Sequence, residues 1–143
     1  MPPDPDCVFC RILAGTIPSF RIDEDERTVA FLDINPVQPG HVLVATRAHA
    51  ADLVASEDGD LAAVLPAARR VAAAIRKALA PDGISLLQAN GPGAAQSVRH
   101  FHLHVIPRRL GDGLVMNWEP RPENKGELAA MAERLRAAIG RAS

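Results

Sequence analysis

The chain has 143 residues, enough for one domain with a substantial core and too few for two. Hydrophobic residues make up 48% and charged residues 23%, with a net charge of −1 and both signs interspersed, as in an ordinary globular domain. The lack of a basic block argues against a nucleic-acid polymer as partner, and no apolar run reaches the roughly 18–20 residues that cross a bilayer.

Residues 1–6 (Met-Pro-Pro-Asp-Pro-Asp) are acidic and Pro-rich, the opposite of a secretory signal, and are expected to be a disordered leader of a cytoplasmic protein. Residues 7–143 are expected to form a single domain. Cys7 to Ala14 reads as a short helical turn ended near Gly15 and Pro18. Strand-like segments follow at Phe20–Ile22 and Thr28–Ile34, with the charged residues Asp23 to Glu26 as a solvated hairpin turn. Asn35 to Gly40 is dense in turn residues and leads into a third strand, His41–Thr46.

A long helix is expected next. Ser56, Glu57, Asp58 and Asp60 suit its N-terminus by capping and by complementing the helix dipole. Leu61, Val64, Leu65, Ala68, Val71, Ala72, Ile75 and Leu79 then keep helical spacing, and Pro81-Asp82-Gly83 stops it. Pro66 predicts a kink, or a late start near residue 65. Gly83–Asn90 is a fourth strand, and the segment around His102 is a fifth. A final amphipathic helix, about Glu127 to Ile139, presents Leu128, Met131, Leu135 and Ile139. Strands cluster with short connections and do not alternate with helices, so the fold class is α+β with an antiparallel sheet.

The most informative stretch is His100-Phe101-His102-Leu103-His104-Val105-Ile106-Pro107. In a strand, side chains alternate between faces, so the three imidazoles are expected in a row on one face at intervals of roughly 6.5–7 Å. Histidine is a poor strand former and an expensive buried group, which marks the row as a site. Just before it, the small residues of Asn90 to Ser97 can bring backbone amides close to an anion, and Gln96 and Ser97 add side-chain donors. Beside three imidazoles this loop reads as a phosphate cradle. Phe31 and Asp33 share one face of their strand, a base platform next to a carboxylate suited to ribose hydroxyls. His41 opens the following strand and can reach the same end of the sheet.

Cys7 and Cys10 have Cys-x-x-Cys spacing near the N-terminus. A thioredoxin-like role would need a βαβ context that is absent. With His49 and His100 as further candidates, the pair can form a closed structural zinc site; the alternative is two buried free cysteines.

Together these residues resemble the histidine-triad (HIT) family, whose His-φ-His-φ-His-φ-φ signature (φ apolar) is matched at every position from 100 to 106. The resemblance covers about Cys7 to Arg108. It implies a five-stranded antiparallel sheet with one long helix and a C-terminal helix, paired as a homodimer. It implies a hydrolase that binds purine nucleotides and cleaves at the α-phosphorus through a nucleotidyl-histidine. It makes His102 the nucleophile, supported by His104 and His41, with Asn90, Gln96 and Ser97 near the phosphate. Phe9, Ile12, Phe31, Asp33 and Ile34 fall on nucleoside-pocket positions. It implies structural zinc through Cys7, Cys10, His49 and His100, and no catalytic metal. Ala95 stands where the family usually has Gly, so a positive φ there would carry strain.

Substrates implied are a nucleoside phosphoramidate, releasing AMP or GMP, or alternatively a dinucleoside polyphosphate. Two readings from other classes compete. One is a metalloenzyme using the three histidines as zinc ligands, which leaves the small-residue loop and Asp33 without a role. The other is a nucleotide-binding regulatory protein with vestigial catalysis.

Overall fold

Five strands form one antiparallel sheet in the order β1-β2-β3-β5-β4: β1 Arg21–Glu24, β2 Thr28–Leu32, β3 Val42–Thr46, β4 Gly83–Leu87 and β5 His102–Arg108. The computed structural model describes residues 2–115 and 118–139. The outer limits assigned from sequence to the leader and the domain, Met1 and Ser143, lie outside the described residues. The described residues also form three α-helices, α1 Val8–Leu13, α2 Asp58–Leu79 and α3 Lys125–Ala138. No helix among the described residues is long and apolar enough to cross a membrane.

The central strand β3 is buried along its whole length and separates two cores. On one face Ala30, Val42, Val44, Leu103 and Val105 meet Val64, Ala67, Ala68, Val71 and Ile75 of α2. Those helix positions recur at intervals of three and four, the stripe a helix needs to lie on a sheet. On the other face Val29, Phe31, Leu43 and Ala45 meet Cys7, Phe9 and Cys10 at α1. The second core is small because α1 is small, and it leaves room for a cleft.

Several local expectations are corrected. Asp23 and Glu24 belong to β1 rather than to the turn, after a bulge between Arg21 and Asp23. Helix α2 runs without interruption through Pro66. Pro66 and Ala62, whose carbonyl loses its partner, both lie on the exposed face, where water can satisfy the freed acceptor. Ser56 is not the cap: its hydroxyl donates to the Asp52 carbonyl at 2.7 Å, and Glu57 is the N-cap without a side-chain bond. Asp4 to Asp6 form a turn onto α1, with Cys7 N–H donating to the Asp4 carbonyl at 3.1 Å. The apolar stripe of α3 is present, yet the helix buries none of its residues.

One glycine is required by the site. Gly40 has φ +90°, and a Cβ there would lie 2.5 Å from Leu79 Cδ1 and 3.1 Å from Pro107 Cγ. This close crossing leads the chain to His41, just before β3, where its buried ring meets His104.

Candidate active site and metal centre

The sheet face under α1 carries the site. Register places Phe31, Leu43 and His104 side by side across β2, β3 and β5, and Val29, Ala45 and His102 in the neighbouring row. Phe9 caps both rows, edge-on to Phe31 at 5.4 Å and to the His102 ring at 4.9 Å between centroids. Between α1 and the end of β2 opens a cleft of about 350 Å³. Phe9, Ile12, Phe31, Ile34 and Leu43 line its apolar part; Asp33, Ser97, His102 and His104 line its polar side. A larger hollow of about 560 Å³ lies on the outer side of α2, among Arg69, Ala72, Ala73, Arg76 and Lys77. Its lining has no histidine, cysteine or carboxylate.

Hydrogen bonds fix the tautomers. His102 Nδ1 lies 2.6 Å from the His100 carbonyl, which can only accept, so Nδ1 carries the proton and Nε2 keeps its lone pair. His41 Nδ1 accepts from Val37 N–H at 3.2 Å, so its proton is on Nε2. That Nε2–H donates to His104 Nδ1 at 2.8 Å, with Asp33 Oδ2 at 3.6 Å from the same nitrogen. His104 is thereby left with its proton on Nε2. The cleft thus holds one imidazole with a free lone pair and one with a free N–H donor. Asp33, His41 and His104 have atoms close enough to share a cation. The proton on His41 Nε2 makes the trio a hydrogen-bond chain instead.

Burial keeps these imidazoles neutral. It pushes His41, His100 and His102 below the ordinary histidine value, and it takes His104 down to about 4 with the neighbouring imidazoles adding to the effect. A neutral His102 is nucleophilic across the physiological range.

His100 departs from the expected row. The strand begins at His102, and residues 100 and 101 bend away from it. Phe101 N–H donates to the Ala50 carbonyl at 2.8 Å, and His100 Nε2–H donates to the Thr46 carbonyl at 2.7 Å. His100 Nδ1 consequently points at Cys7 Sγ (3.4 Å), Cys10 Sγ (3.5 Å) and His49 Nδ1 (3.3 Å). Cys10 Sγ is 3.3 Å from His49 Nδ1, and all four ligand atoms lie within 4.8 Å of one another.

A tetrahedral zinc with bonds of about 2.0–2.3 Å sets its ligand atoms roughly 3.3–3.8 Å apart, so this cluster has the right size. The donor chemistry fits as well. Cys7 Sγ accepts from Cys10 N–H and Cys10 Sγ accepts from Asp4 N–H, both at 3.4 Å, and these bonds hold the two sulfurs in place beside the imidazoles. The Thr46 carbonyl fixes the His100 tautomer that frees Nδ1, and Asp4 Oδ2 stands 3.9 Å from His49 Nε2. With four protein ligands, Cys7, Cys10, His49 and His100 would hold a zinc ion with no open position, a structural arrangement.

The loop before the strand is placed differently from the cradle expected of it. The amides of Gly91, Ala94, Ala95 and Gln96 are all used within the loop. Gln96 fastens it: its Oε1 accepts from Gly91 N–H at 2.8 Å, and its Nε2 donates to the carbonyls of Ala51 (2.6 Å) and Val98 (3.0 Å). Asn90 Oδ1 accepts from Leu53 N–H at 2.8 Å, outside the cleft. Of residues 90–97 only Ser97 lines the cleft. Ala95 does sit in the left-handed region, at φ 60°. Sequence reading missed Leu43, though its place opposite His104 follows from alternation in β3. It also missed Ile17 and Pro18, which reach the cleft by a turn that leaves no periodic signal.

Residues 14–111 match the HIT domain model. The chain belongs to the HIT family. It is 37% identical over 134 residues to the adenosine 5′-monophosphoramidase of Schizosaccharomyces pombe, covering 93% of this chain and 98% of that one. Its fold superposes with a TM-score of 0.90 on a HIT family protein from Bacillus anthracis, at 33% identity, covering 95% of this chain and 99% of the other. A Zn-bound histidine triad family protein from Mycobacterium smegmatis is similar at TM-score 0.73 and 40% identity, covering 92% and 97% of the two chains. Five antiparallel strands with a long helix and a C-terminal helix are the architecture expected of this HIT domain.

Proposed function

We propose that this HIT protein is a purine nucleoside phosphoramidase that works through a nucleotidyl-histidine. The observation that carries the reading is the pair of opposite tautomers at the cleft: a lone pair on His102 Nε2 and a proton on His104 Nε2. The base would lie against Phe9, Ile12 and Phe31, with Ile34 at the rim and Asp33 at the ribose hydroxyls. His102 Nε2 attacks the α-phosphorus, forming a phosphorus–nitrogen bond as the bond to the leaving amine breaks; the departing nitrogen takes a proton from solvent, and the later hydrolysis returns one. His104 Nε2–H and the Ser97 hydroxyl donate to the phosphoryl oxygens as charge builds on them. His41 holds His104 in the donating tautomer. Water then breaks the bond to His102 and releases the nucleoside monophosphate.

The phosphoramidate is preferred over a dinucleoside polyphosphate because relatives bearing the name adenosine 5′-monophosphoramidase match over nearly the whole chain. Structural zinc at Cys7, Cys10, His49 and His100 is part of the same proposal, supported by the ligand spacing and by the Zn-bound relative. So is a homodimer: β4 is a sheet edge, and its Leu86 and Leu87 are each 49% exposed, an apolar edge suited to a second copy. Two unbridged cysteines suit a reducing compartment such as the cytoplasm.

The test is turnover of adenosine phosphoramidate beside diadenosine tri- and tetraphosphates, comparing wild type with His102→Ala. AMP release from the phosphoramidate that disappears in the variant is expected. Cleavage confined to the dinucleotides would move the protein to the polyphosphate reading, and binding without cleavage of either would favour a regulatory nucleotide-binding protein.

A further inference from the structure

His100 belongs to two networks at once. Its side chain is fully buried in the cluster with Cys7, Cys10 and His49, while its backbone carbonyl accepts the Nδ1–H of His102 at 2.6 Å. The two networks meet again at α1. Cys7 caps that helix and Cys10 lies in it, and Phe9 between them rests edge-on to His102 at 4.9 Å and to His100 at 5.8 Å. The imidazole of His102 is therefore held at Nδ1 by one group tied to the cluster and packed at its ring by another.

Each hold has a link that runs through the cluster, beside the anchoring of α1 by Arg21 and of Phe101 in the core. Helix α1 has six residues, too short to persist through its own hydrogen bonds. Its first turn is fastened by N–H donors aimed at the two sulfurs, from Asp4 to Cys10 and from Cys10 to Cys7. Residues 100 and 101 precede the paired part of β5, tied to it through Phe101, whose N–H donates to the Ala50 carbonyl and whose carbonyl accepts from Thr46 N–H at 3.4 Å. The His100 side chain meets the Thr46 carbonyl, Phe9 and the cluster.

We propose that filling the Cys7-Cys10-His49-His100 cluster with metal sets the orientation and tautomer of His102, through the His100 carbonyl and Phe9, and so controls whether the cleft is competent for nucleotide. His100 is then a positioning residue for His102, and Phe9 is a cleft wall whose place depends on the thiolates at either side of it. The effect on turnover rests on reading His102 as the nucleophile. The coupling between cluster and cleft does not. Linkage makes the coupling reciprocal: if metal loading favours nucleotide, bound nucleotide must tighten the metal by the same factor.

The experiment follows the imidazole nitrogens of His102 by ¹⁵N NMR in the full-length zinc-loaded protein and after treatment with a chelator. The loaded protein is expected to show one tautomer, protonated at Nδ1. The treated protein is expected to show averaged nitrogen shifts and AMP affinity weakened about fivefold or more. A second arm uses only folded, loaded protein: competition for zinc by a chromogenic chelator, with and without saturating AMP. Zinc is expected to be held about fivefold more tightly with AMP present. This arm decides the matter if chelation unfolds the chain. An unchanged His102 spectrum in folded, metal-free protein, or zinc affinity indifferent to bound AMP, would overturn the proposal. A His102 signal that follows the metal while no phosphoramidate is cleaved supports the coupling and counts against the phosphoramidase reading alone.

Discussion

His41 Nε2 stands 2.8 Å from His104 Nδ1, and the direction of that bond is dictated by a third residue, because Val37 N–H already occupies the far nitrogen of His41. A backbone amide thus decides which nitrogen of His104 keeps its proton, two side chains away. This is how a neutral imidazole is presented to the cleft as a donor without being charged. His41 itself is delivered by the Gly40 turn, so the chain from fold to proton position is short and can be tested link by link.

Replacing His41 with alanine removes the group that fixes the His104 tautomer. We expect kcat on adenosine phosphoramidate to fall by about 10²-fold, within the range for losing an oriented donor to the developing charge, with a smaller change in KM. Steady-state kinetics on wild type and variant check this. A fall confined to KM would assign His41 to ground-state binding instead.

Stability should depend on pH through the buried histidines. His104 is held near 4 in the folded chain and titrates near its ordinary value of 6.5 when unfolded. Between these values the unfolded state binds the extra proton, so stability is full above about 6.5 and declines as pH falls toward 4. His41 and His102, also shifted downward by burial, add to the same slope. Urea unfolding between pH 4 and 8 should show a steeper decline for wild type than for His104→Gln.

Two alanines occupy backbone suited to glycine. Ala95 has φ 60° and Ala80, at the C-terminal end of α2, has φ 45°. A left-handed L-residue costs about 1–2 kcal/mol, part of which returns as unfolded-state entropy when glycine replaces it. Ala95→Gly and Ala80→Gly should each raise stability by about 0.5–1 kcal/mol, read as a shift in thermal midpoint. Unchanged or lower midpoints would show that these turns are not strained.

Gly40→Ala should act in the opposite direction. The new Cβ would meet Leu79 Cδ1 at 2.5 Å in a backbone with φ +90°. The left-handed backbone carries most of the penalty, since the end of the partly exposed Leu79 side chain can swing aside, and a loss of about 1–2 kcal/mol by urea titration is expected. The Gly91→Ala change, in the loop before β5 with nothing within 4 Å and φ +81°, should cost only the conformational part.

Much of this was legible in the chain. Alternation placed His102 and His104 on one face and Phe31 beside them, and helical spacing found the buried stripe of α2. Cys-x-x-Cys spacing pointed to the cluster. Alternation failed at His100 because a period of two assumes a strand, and the chain bends where the Ala50 and Thr46 carbonyls draw residues 100 and 101 away. Composition suggested open amides in the loop before the triad. It could not show that Gln96 and the loop's own carbonyls already use them. Pro66 reads as a disturbance because the apolar spacing takes in Leu65 beside it, whereas the structure leaves both on the exposed face.

The central claim is that His102 becomes covalently bonded to the nucleotide, and intact-mass spectrometry tests it most directly. The protein is mixed with adenosine phosphoramidate, quenched in alkali to preserve the phosphorus–nitrogen bond, and mapped by peptide. One adenylyl group on His102, formed within a turnover and absent from His102→Ala, is the expected result. Turnover at the wild-type rate in His102→Ala, or an adduct on a different residue, would contradict it.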